Sequence, residues 1–187
     1  MKSNLVFIGS STGGMRTLHK IFQGVPSLNT SVIIVQHMPR YINEAFRSDL
    51  DRRTKMNVVI ARNGEKVQSG TIYIAPSEMH LKLSENNNRI SLYDGEKINY
   101  VKPSADVAMA SLKKMPGSSL IGIILTGMGK DGAQGISYLK SIGAVTVAQS
   151  KETSSVFGMP KAAIATGNID KIYSPDQIRQ SLIKKFS

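Results

Sequence analysis

Seven short apolar runs alternate along the 187-residue chain with amphipathic segments of helical length. Several runs are continuous Val, Ile and Leu, as in strands that helices cover on both faces. The alternation predicts parallel strands joined by helical crossovers. The predicted strands are residues 5–9, 32–36, 58–61, 71–75, 120–126, 144–148 and 171–173, and the predicted helices are 13–23, 42–53, 104–115, 133–141 and 176–185.

One segment breaks the alternation. Residues 79–83 and 89–93 alternate in polarity on either side of a polar, Asn-rich stretch at 84–88, which predicts a β-hairpin. The expected fold is therefore α/β: a three-layer α/β/α, Rossmann-like, doubly wound and mostly parallel sheet with an antiparallel hairpin excursion. The length suits one domain over residues 1–187.

Composition excludes several classes of site. The chain has no cysteine, which rules out disulfides and thiolate chemistry and favours a cytoplasmic location. No apolar stretch approaches the roughly 18 residues of a membrane span, so no membrane insertion is expected. The net charge is +11, from 24 Lys and Arg against 13 Asp and Glu. An acidic protein partner or an ordinary charged surface would explain it; nucleic acid is disfavoured because aromatic and basic residues do not interleave.

A glycine-rich turn follows the first predicted strand. Gly9, Ser11 and Gly13 have the spacing of a nucleophile elbow, in which a strained turn lifts one hydroxyl above a sheet. A phosphate-binding loop is the rival interpretation, but Met15-Arg16 replaces the Lys-Ser/Thr pair that contacts phosphate and magnesium. Ser11 is therefore a candidate nucleophile that needs a nearby base.

Three histidines could supply that base. His19, in the following helix and next to Lys20, is predicted to face solvent, and His80 falls in the hairpin. His37 directly follows the predicted strand 32–36. Ligands of open α/β sheets gather beyond the carboxyl ends of the strands, and this rule selects His37.

Asp131 is the best carboxylate to orient the base, because it lies in a glycine-rich turn after the predicted strand 120–126. Its alternative role is the N-cap of the helix starting near residue 133. Asp106, Asp170 and Asp176 are set aside because they fall in helical or turn contexts away from the strand ends. The chain order Ser, His, Asp differs from that of α/β-hydrolases. No metal cluster has sensible spacing, and neither a metal nor a cofactor is expected.

Six segments in order resemble motifs of the chemotaxis protein-glutamate methylesterase family, CheB. They cover essentially the whole chain: residues 8–14, 35–39, 74–76 with His80, 102–106, 125–133 and 157–160. The resemblance implies a hydrolase that removes methyl esters from glutamates on the cytoplasmic helices of methyl-accepting chemoreceptors and can deamidate glutamines. It implies Ser11 as nucleophile, His37 as base and acid, Asp131 as its partner, and Thr12 and Met128 as neighbours with oxyanion-binding N–H groups.

Three departures from the family pattern accompany the resemblance. Family members typically carry an N-terminal receiver domain, which is absent from this sequence and would be a further partner. Ser10 stands where alanine is usual, leaving a second hydroxyl beside Ser11, and Ser77 replaces a usual glycine in the loop before the hairpin. The alternatives to the methylesterase are a non-catalytic adaptor that binds receptors and a serine hydrolase for another ester or amide.

Overall fold

Seven strands pair in parallel to form one sheet in the computed structural model, which describes residues 4–84 and 86–187. A separate antiparallel pair forms the predicted hairpin, and Glu85 in its tip lies outside the described residues. The strands are β1 Leu5–Ser10, β2 Ser31–Gln36, β3 Asn57–Ile60, β4 Thr71–Ile74, β5 His80–Ser84, β6 Arg89–Tyr93, β7 Leu120–Ile124, β8 Val145–Gln149 and β9 Lys171–Tyr173. The mostly parallel α/β prediction is confirmed.

The order of the large sheet is β3-β4-β2-β1-β7-β8-β9, with β1 at its centre. From β1 the chain first forms the half of the sheet that contains β2, β3 and β4, with β4 between β2 and β3, and then returns to form the other half from β7. This reversal between β1 and β7 is the place where open α/β sheets bind ligands, outside the carboxyl ends of the strands.

Six helices cover the sheet on both faces: α1 Gly14–Phe22, α2 Asn43–Asp51, α3 Ala105–Ala110, α4 Ala133–Ser141, α5 Gly158–Ala165 and α6 Pro175–Phe186. Helices α1, α2 and α6 pack together over one apolar core, and α3, α4 and α5 pack over a second. Every residue of β1 and β2 is buried, as expected for strands sandwiched between helices.

Helix α3 ends earlier than predicted. Its apolar stripe extends to Met115, but the helix stops at Ala110. The following residues bind the hairpin instead: the N–H of Lys113 donates to Oδ1 of Asn87, and the hydroxyl of Ser111 accepts from the N–H of Leu83. Tertiary hydrogen bonds therefore override the local helical pattern.

Helix α5 was not predicted, because Gly158 and Pro160 in its first turn are typical of a loop. At α6 the helix cap is Ser174, and the expected start residue Asp176 lies in the first turn. The side chains of Ser174 and Gln177 form a reciprocal capping box there. Ser104, the first residue of the predicted helix 104–115, is the N-cap of α3.

Candidate active site

The structure brings Ser11, His37 and Asp131 to one rim of the sheet. Ser11 directly follows β1, His37 directly follows β2, and Asp131 lies in the loop after β7. Because β2, β1 and β7 are neighbours in that order, Ser11 lies between the other two segments. The N–H of His37 donates to the carbonyl of Ser10 at 3.0 Å, which joins the first two segments at the rim.

Gln36 holds the backbone on both sides of this junction. Its buried amide donates to the carbonyl oxygens of Ser11 at 2.9 Å and His37 at 2.8 Å. Its Oε1 accepts from the hydroxyl of Ser10 at 2.6 Å. The hydroxyl of Ser10 is thus fully buried and bound to Gln36, not a free group beside Ser11. Sequence reasoning missed this role, although a glutamine ending a fully buried strand is a visible signal.

Two glycines make room for the turn that carries Ser11. A Cβ on Gly127 would lie 2.7 Å from the Cβ of Ser11, and one on Gly14 would lie 2.2 Å from Oε1 of Gln36. The left-handed residue of the turn is Gly13, with φ of 81°, whereas Ser11 keeps a negative φ. The strain expected of a nucleophile elbow is therefore taken up at Gly13 and not at Ser11 itself.

His37 and Asp131 are in direct contact. Nε2 of the ring lies 2.9 Å from Oδ2 of Asp131. An ionised carboxylate can only accept, so Nε2 carries a proton, and in the neutral imidazole the lone pair is then on Nδ1. Nδ1 is buried and has no hydrogen-bond partner within residues 4–84 and 86–187. The hydroxyl of Ser11 likewise forms no hydrogen bond to any described residue, so the structure holds the two groups on one rim without joining them.

Asp131 is bound by the start of α3 and not by its own helix. Its Oδ1 accepts from the hydroxyl of Ser104 at 2.7 Å and the N–H of Asp106 at 3.1 Å, and its Oδ2 accepts from the N–H of Ala105 at 2.7 Å. Gly132 is the N-cap of α4, with no side-chain cap. The alternative of Asp131 as an N-cap for α4 is therefore wrong.

These contacts keep the Asp131 carboxylate ionised. Burial by itself would raise the pKa of Asp131. The hydrogen bonds from His37, from the Ala105 N–H, from the Ser104 hydroxyl and from the Asp106 N–H outweigh that effect and hold the pKa below its ordinary value. A charged acceptor therefore faces the ring of His37 at neutral pH.

His80 holds Ser104, the cap residue of α3, by a hydrogen bond. The ring is buried; its Nε2 lies 2.7 Å from the carbonyl of Glu96, and its Nδ1 accepts from the N–H of Ser104 at 3.2 Å. A continuous series of hydrogen bonds therefore runs from His80 through Ser104 and Asp131 to His37. The sequence marked His80 as a hairpin residue and a motif match, but it did not indicate this contact.

Thr12 and Met128 expose their side chains at the same rim, and 71% of Met128 is accessible. Neither backbone N–H donates to an acceptor in the part of the chain that the structure describes. The carbonyl of Thr12 is bound to the buried hydroxyl of Thr126 at 2.9 Å, which fixes this peptide against the loop after β7. Two anchored segments thus present N–H groups that are available to a ligand.

Two expectations about other residues are wrong. Asp106, set aside as remote from the strand ends, adjoins Asp131 and accepts from the N–H of Gly135 at 2.7 Å. Burial is the main cause that raises the pKa of Asp106, and the Asp131 charge adds to it. His19, expected to face solvent, is partly buried with its ring centroid 5.7 Å from that of Phe46.

Ser77 connects the loop before the hairpin to the segment after His37. Its buried hydroxyl lies 2.7 Å from both the carbonyl of Met38 and Oδ1 of Asn43. The serine that replaces the usual glycine thus adds a hydrogen-bonded connection next to the candidate site. Among the described residues there is no group of three His, Asp or Glu side chains that could hold a metal, and no helix long and apolar enough to cross a membrane.

Comparisons with known proteins agree with this fold and show the family. The family model of the CheB methylesterase matches residues 6–182. The crystal structure of the Thermotoga maritima CheB methylesterase catalytic domain superposes with a TM-score of 0.93 at 37% identity, covering 99% of this chain and 100% of that one.

Two curated relatives are both named protein-glutamate methylesterase/protein-glutamine glutaminase, and the name of the Rhodospirillum rubrum protein ends in the numeral 2. The Rhodospirillum rubrum protein is 39% identical over 183 residues, which is 97% of this chain and 50% of the relative. The Salmonella typhimurium protein is 38% identical over 185 residues, which is 98% of this chain and 53% of the relative. The chain thus spans about half the length of the curated relatives that it matches, and it belongs to the CheB methylesterase family.

Proposed function

We propose that this chain is a serine hydrolase that removes methyl esters from glutamate side chains of methyl-accepting chemoreceptors. The observation that carries the proposal is the ring of His37, whose Nε2 is bound to the buried Asp131 carboxylate while Nδ1 is unpartnered among the described residues. A neutral imidazole with an oriented ring and a free lone pair is a general base. Ser11 follows the adjacent strand and supplies the nucleophile.

In the proposed reaction, Nδ1 of His37 takes the proton of the Ser11 hydroxyl as its oxygen attacks the ester carbonyl. The N–H groups of Thr12 and Met128 would bind the oxyanion, and one such donor contributes about 3–4 kcal/mol to transition-state stabilisation. The protonated imidazole then gives its proton to the departing methoxide, and methanol leaves.

Water completes the cycle by the same route in reverse. His37 takes one proton from the water, the resulting hydroxide attacks the acyl-serine, and that proton returns to Ser11 as the glutamic acid side chain leaves and releases its remaining proton to solvent. Hydrolysis of a glutamine amide would follow the same steps with ammonia as the leaving group. The names of both relatives include a glutaminase activity, and we propose it as a second activity of the same site.

The proposed substrate segment is the cytoplasmic helical region of a chemoreceptor. The net charge of +11 supports it, because each hydrolysed ester adds a carboxylate to such a helix. A receiver domain, which the family resemblance implies, is a further proposed partner. We propose that the protein acts in the cytoplasm, where these helices lie.

Methanol release from methylated receptor membranes tests the proposal. The wild type is expected to release methanol, and Ser11→Ala to lose activity by a factor on the order of 10⁴ or more. Ser10→Ala is the matched control: it removes a neighbouring hydroxyl that is bound to Gln36, and it should keep activity.

The same assay separates the alternatives. Full activity in Ser11→Ala would overturn the mechanism. Receptor binding without turnover in the wild type would favour a non-catalytic adaptor. Turnover of other esters or amides, with none of methylated receptor, would favour a serine hydrolase of different specificity.

A further inference from the structure

A groove of about 620 Å³ opens beside the candidate active site, and we call it the lysine groove. Its lining residues are Lys97, Asn99, Tyr100, Gly129 and Lys130. None of these five is acidic. The role that we assign to the lysine groove is recognition of the substrate, and it rests on the proposed hydrolase activity.

One wall of the lysine groove is part of the loop after β7, which contacts two of the candidate catalytic residues and contains the third. Gly127 at the start of this loop touches Ser11, and Asp131 at its end binds His37. Gly129 and Lys130 lie between them. Two peptide units span at most about 7.6 Å, so the groove begins within that reach of the contact with Ser11.

The opposite wall is a tight turn held by the start of α3. Ile98 and Val101 exchange backbone hydrogen bonds of 3.1 Å and 3.0 Å, and Asn99 and Tyr100 are the two central residues. The side chain of Asn99 donates to Oδ2 of Asp106 at 2.9 Å. Asp106 in turn donates its N–H to Asp131, so this turn is connected to the candidate site through two hydrogen bonds.

Tyr100 is unusual within this turn. Asn99 has φ of 52° and Tyr100 has φ of 66°, a left-handed conformation in which the second position strongly favours glycine. The residue is also 95% exposed, so its ring contributes no packing that would offset the backbone strain. Strained, exposed residues of this kind are concentrated at ligand-binding sites.

We propose that the lysine groove binds a carboxylate of the substrate helix, one to two helical turns from the ester, and that the Tyr100 ring packs on that helix. Side chains three, four or seven positions apart share one helix face, at a rise of about 5.4 Å per turn. One helical turn is shorter than the upper limit of about 7.6 Å between the Gly127 contact with Ser11 and the start of the groove. Exposed Lys97 and Lys130 supply the charge that complements glutamate.

The test uses two helical peptides that carry one glutamate γ-methyl ester. They differ only in having Glu or Gln at positions three, four and seven on either side of the ester. The wild type is expected to hydrolyse the Glu peptide with about fivefold higher kcat/KM at low salt, and added salt should reduce the preference. The double variant Lys97→Gln/Lys130→Gln should lose the preference and hydrolyse the Glu and Gln peptides with equal kcat/KM.

Two further variants exclude a general charge effect and a structural effect. Lys113→Gln/Lys184→Gln makes the same change of net charge at exposed lysines elsewhere and should retain the preference. Tyr100→Gly should raise KM for both peptides while the melting temperature stays equal or increases, because glycine relieves the left-handed strain. A preference that survives in the Lys97/Lys130 variant, or that disappears equally in the control, would overturn the proposal.

A binding measurement separates failure of the groove from failure of the proposed function. Labelled Glu and Gln peptides are titrated against Ser11→Ala by fluorescence anisotropy, in backgrounds with and without the Lys97 and Lys130 changes. If no ester is hydrolysed by the wild type, the proposed function fails, but tighter binding of the Glu peptide through these lysines still supports the groove. Equal binding of both peptides would refute the groove even when hydrolysis is observed.

Discussion

Nε2 of His37 lies 2.9 Å from Oδ2 of Asp131, and the same carboxylate accepts three more hydrogen bonds at the start of α3. The carboxylate of Asp131 therefore accepts four hydrogen bonds, one from His37 after β2 and three from the start of α3. The arrangement determines both the orientation of the His37 ring and the nitrogen that carries its proton.

Asp131→Asn should abolish the proposed hydrolysis without changing the fold. Each carboxylate oxygen of Asp131 accepts from two donors, so an amide NH₂ at either place would face donors and leave at least one buried N–H unpaired. His37 would then favour the tautomer with its proton on Nδ1, which cannot accept the Ser11 proton. Methanol release is expected to fall by about 10⁴, and the free energy of unfolding by about 1–3 kcal/mol. Activity within tenfold of the wild type would contradict this role.

His80 should affect activity only through Ser104. His80→Phe removes the acceptor for the Ser104 N–H, and a buried unpaired N–H costs about 1–3 kcal/mol. We expect lower stability in urea and a lower kcat with little change in KM. His80→Asn can place an oxygen near the position of Nδ1, and it should restore part of both losses. Equal kcat in the wild type and His80→Phe would show that the position of Ser104 does not depend on the histidine.

Gly127→Ala should displace Ser11. The added Cβ would lie 2.7 Å from the Cβ of Ser11 and 2.3 Å from Sδ of Met159, and the flexible methionine can relieve only the second contact. A displacement of about 1 Å at a reacting group can cost about 100-fold in rate, so methanol release should fall by about that factor.

Gly143→Ala is the control for the effect of Gly127→Ala. Gly143 has φ of 83°, and nothing lies within 4 Å of an added Cβ. The substitution should cost about 1–2 kcal/mol of stability through backbone strain while leaving the rate unchanged. A similar loss of rate in both variants would mean that destabilisation, and not displacement of Ser11, is the cause.

Asp106 and Asp131 should make opposite contributions to stability as pH changes. Burial raises the pKa of Asp106, so its protonated form favours the folded state; this contribution is fully present below the ordinary pKa near 3.8 and is lost as pH rises through the raised value. The lowered pKa of Asp131 stabilises the fold above pH 3.8, and this contribution is lost as pH falls through the lowered value.

Asp106→Asn isolates the first of these effects. The difference in free energy of unfolding between the variant and the wild type should shift in favour of the variant as pH rises from 3.8 through the raised pKa of Asp106. Urea denaturation at a series of pH values measures this difference. A difference that stays constant over the series would mean that Asp106 titrates alike in the folded and unfolded states.

Apart from helix α5, the sequence by itself determined the succession of strands and helices along the chain, and it indicated the three candidate residues at the strand ends. Apolar runs and glycine-rich turns are local signals, and the carboxyl ends of parallel strands must share one edge of the sheet. It follows that Ser11, His37 and Asp131 could be assigned to one rim before any contact was known.

Only the tertiary structure decided how these residues are held. Asp131 meets its donors in α3 from 25 to 27 residues away, and Gln36 reaches Ser11 across 25. Such pairs leave no periodic pattern in the sequence, because each of them depends on the packing of elements that are distant along the chain. The early end of α3 and the burial of Asp106 have the same origin: the free energy of distant contacts outweighs local preference.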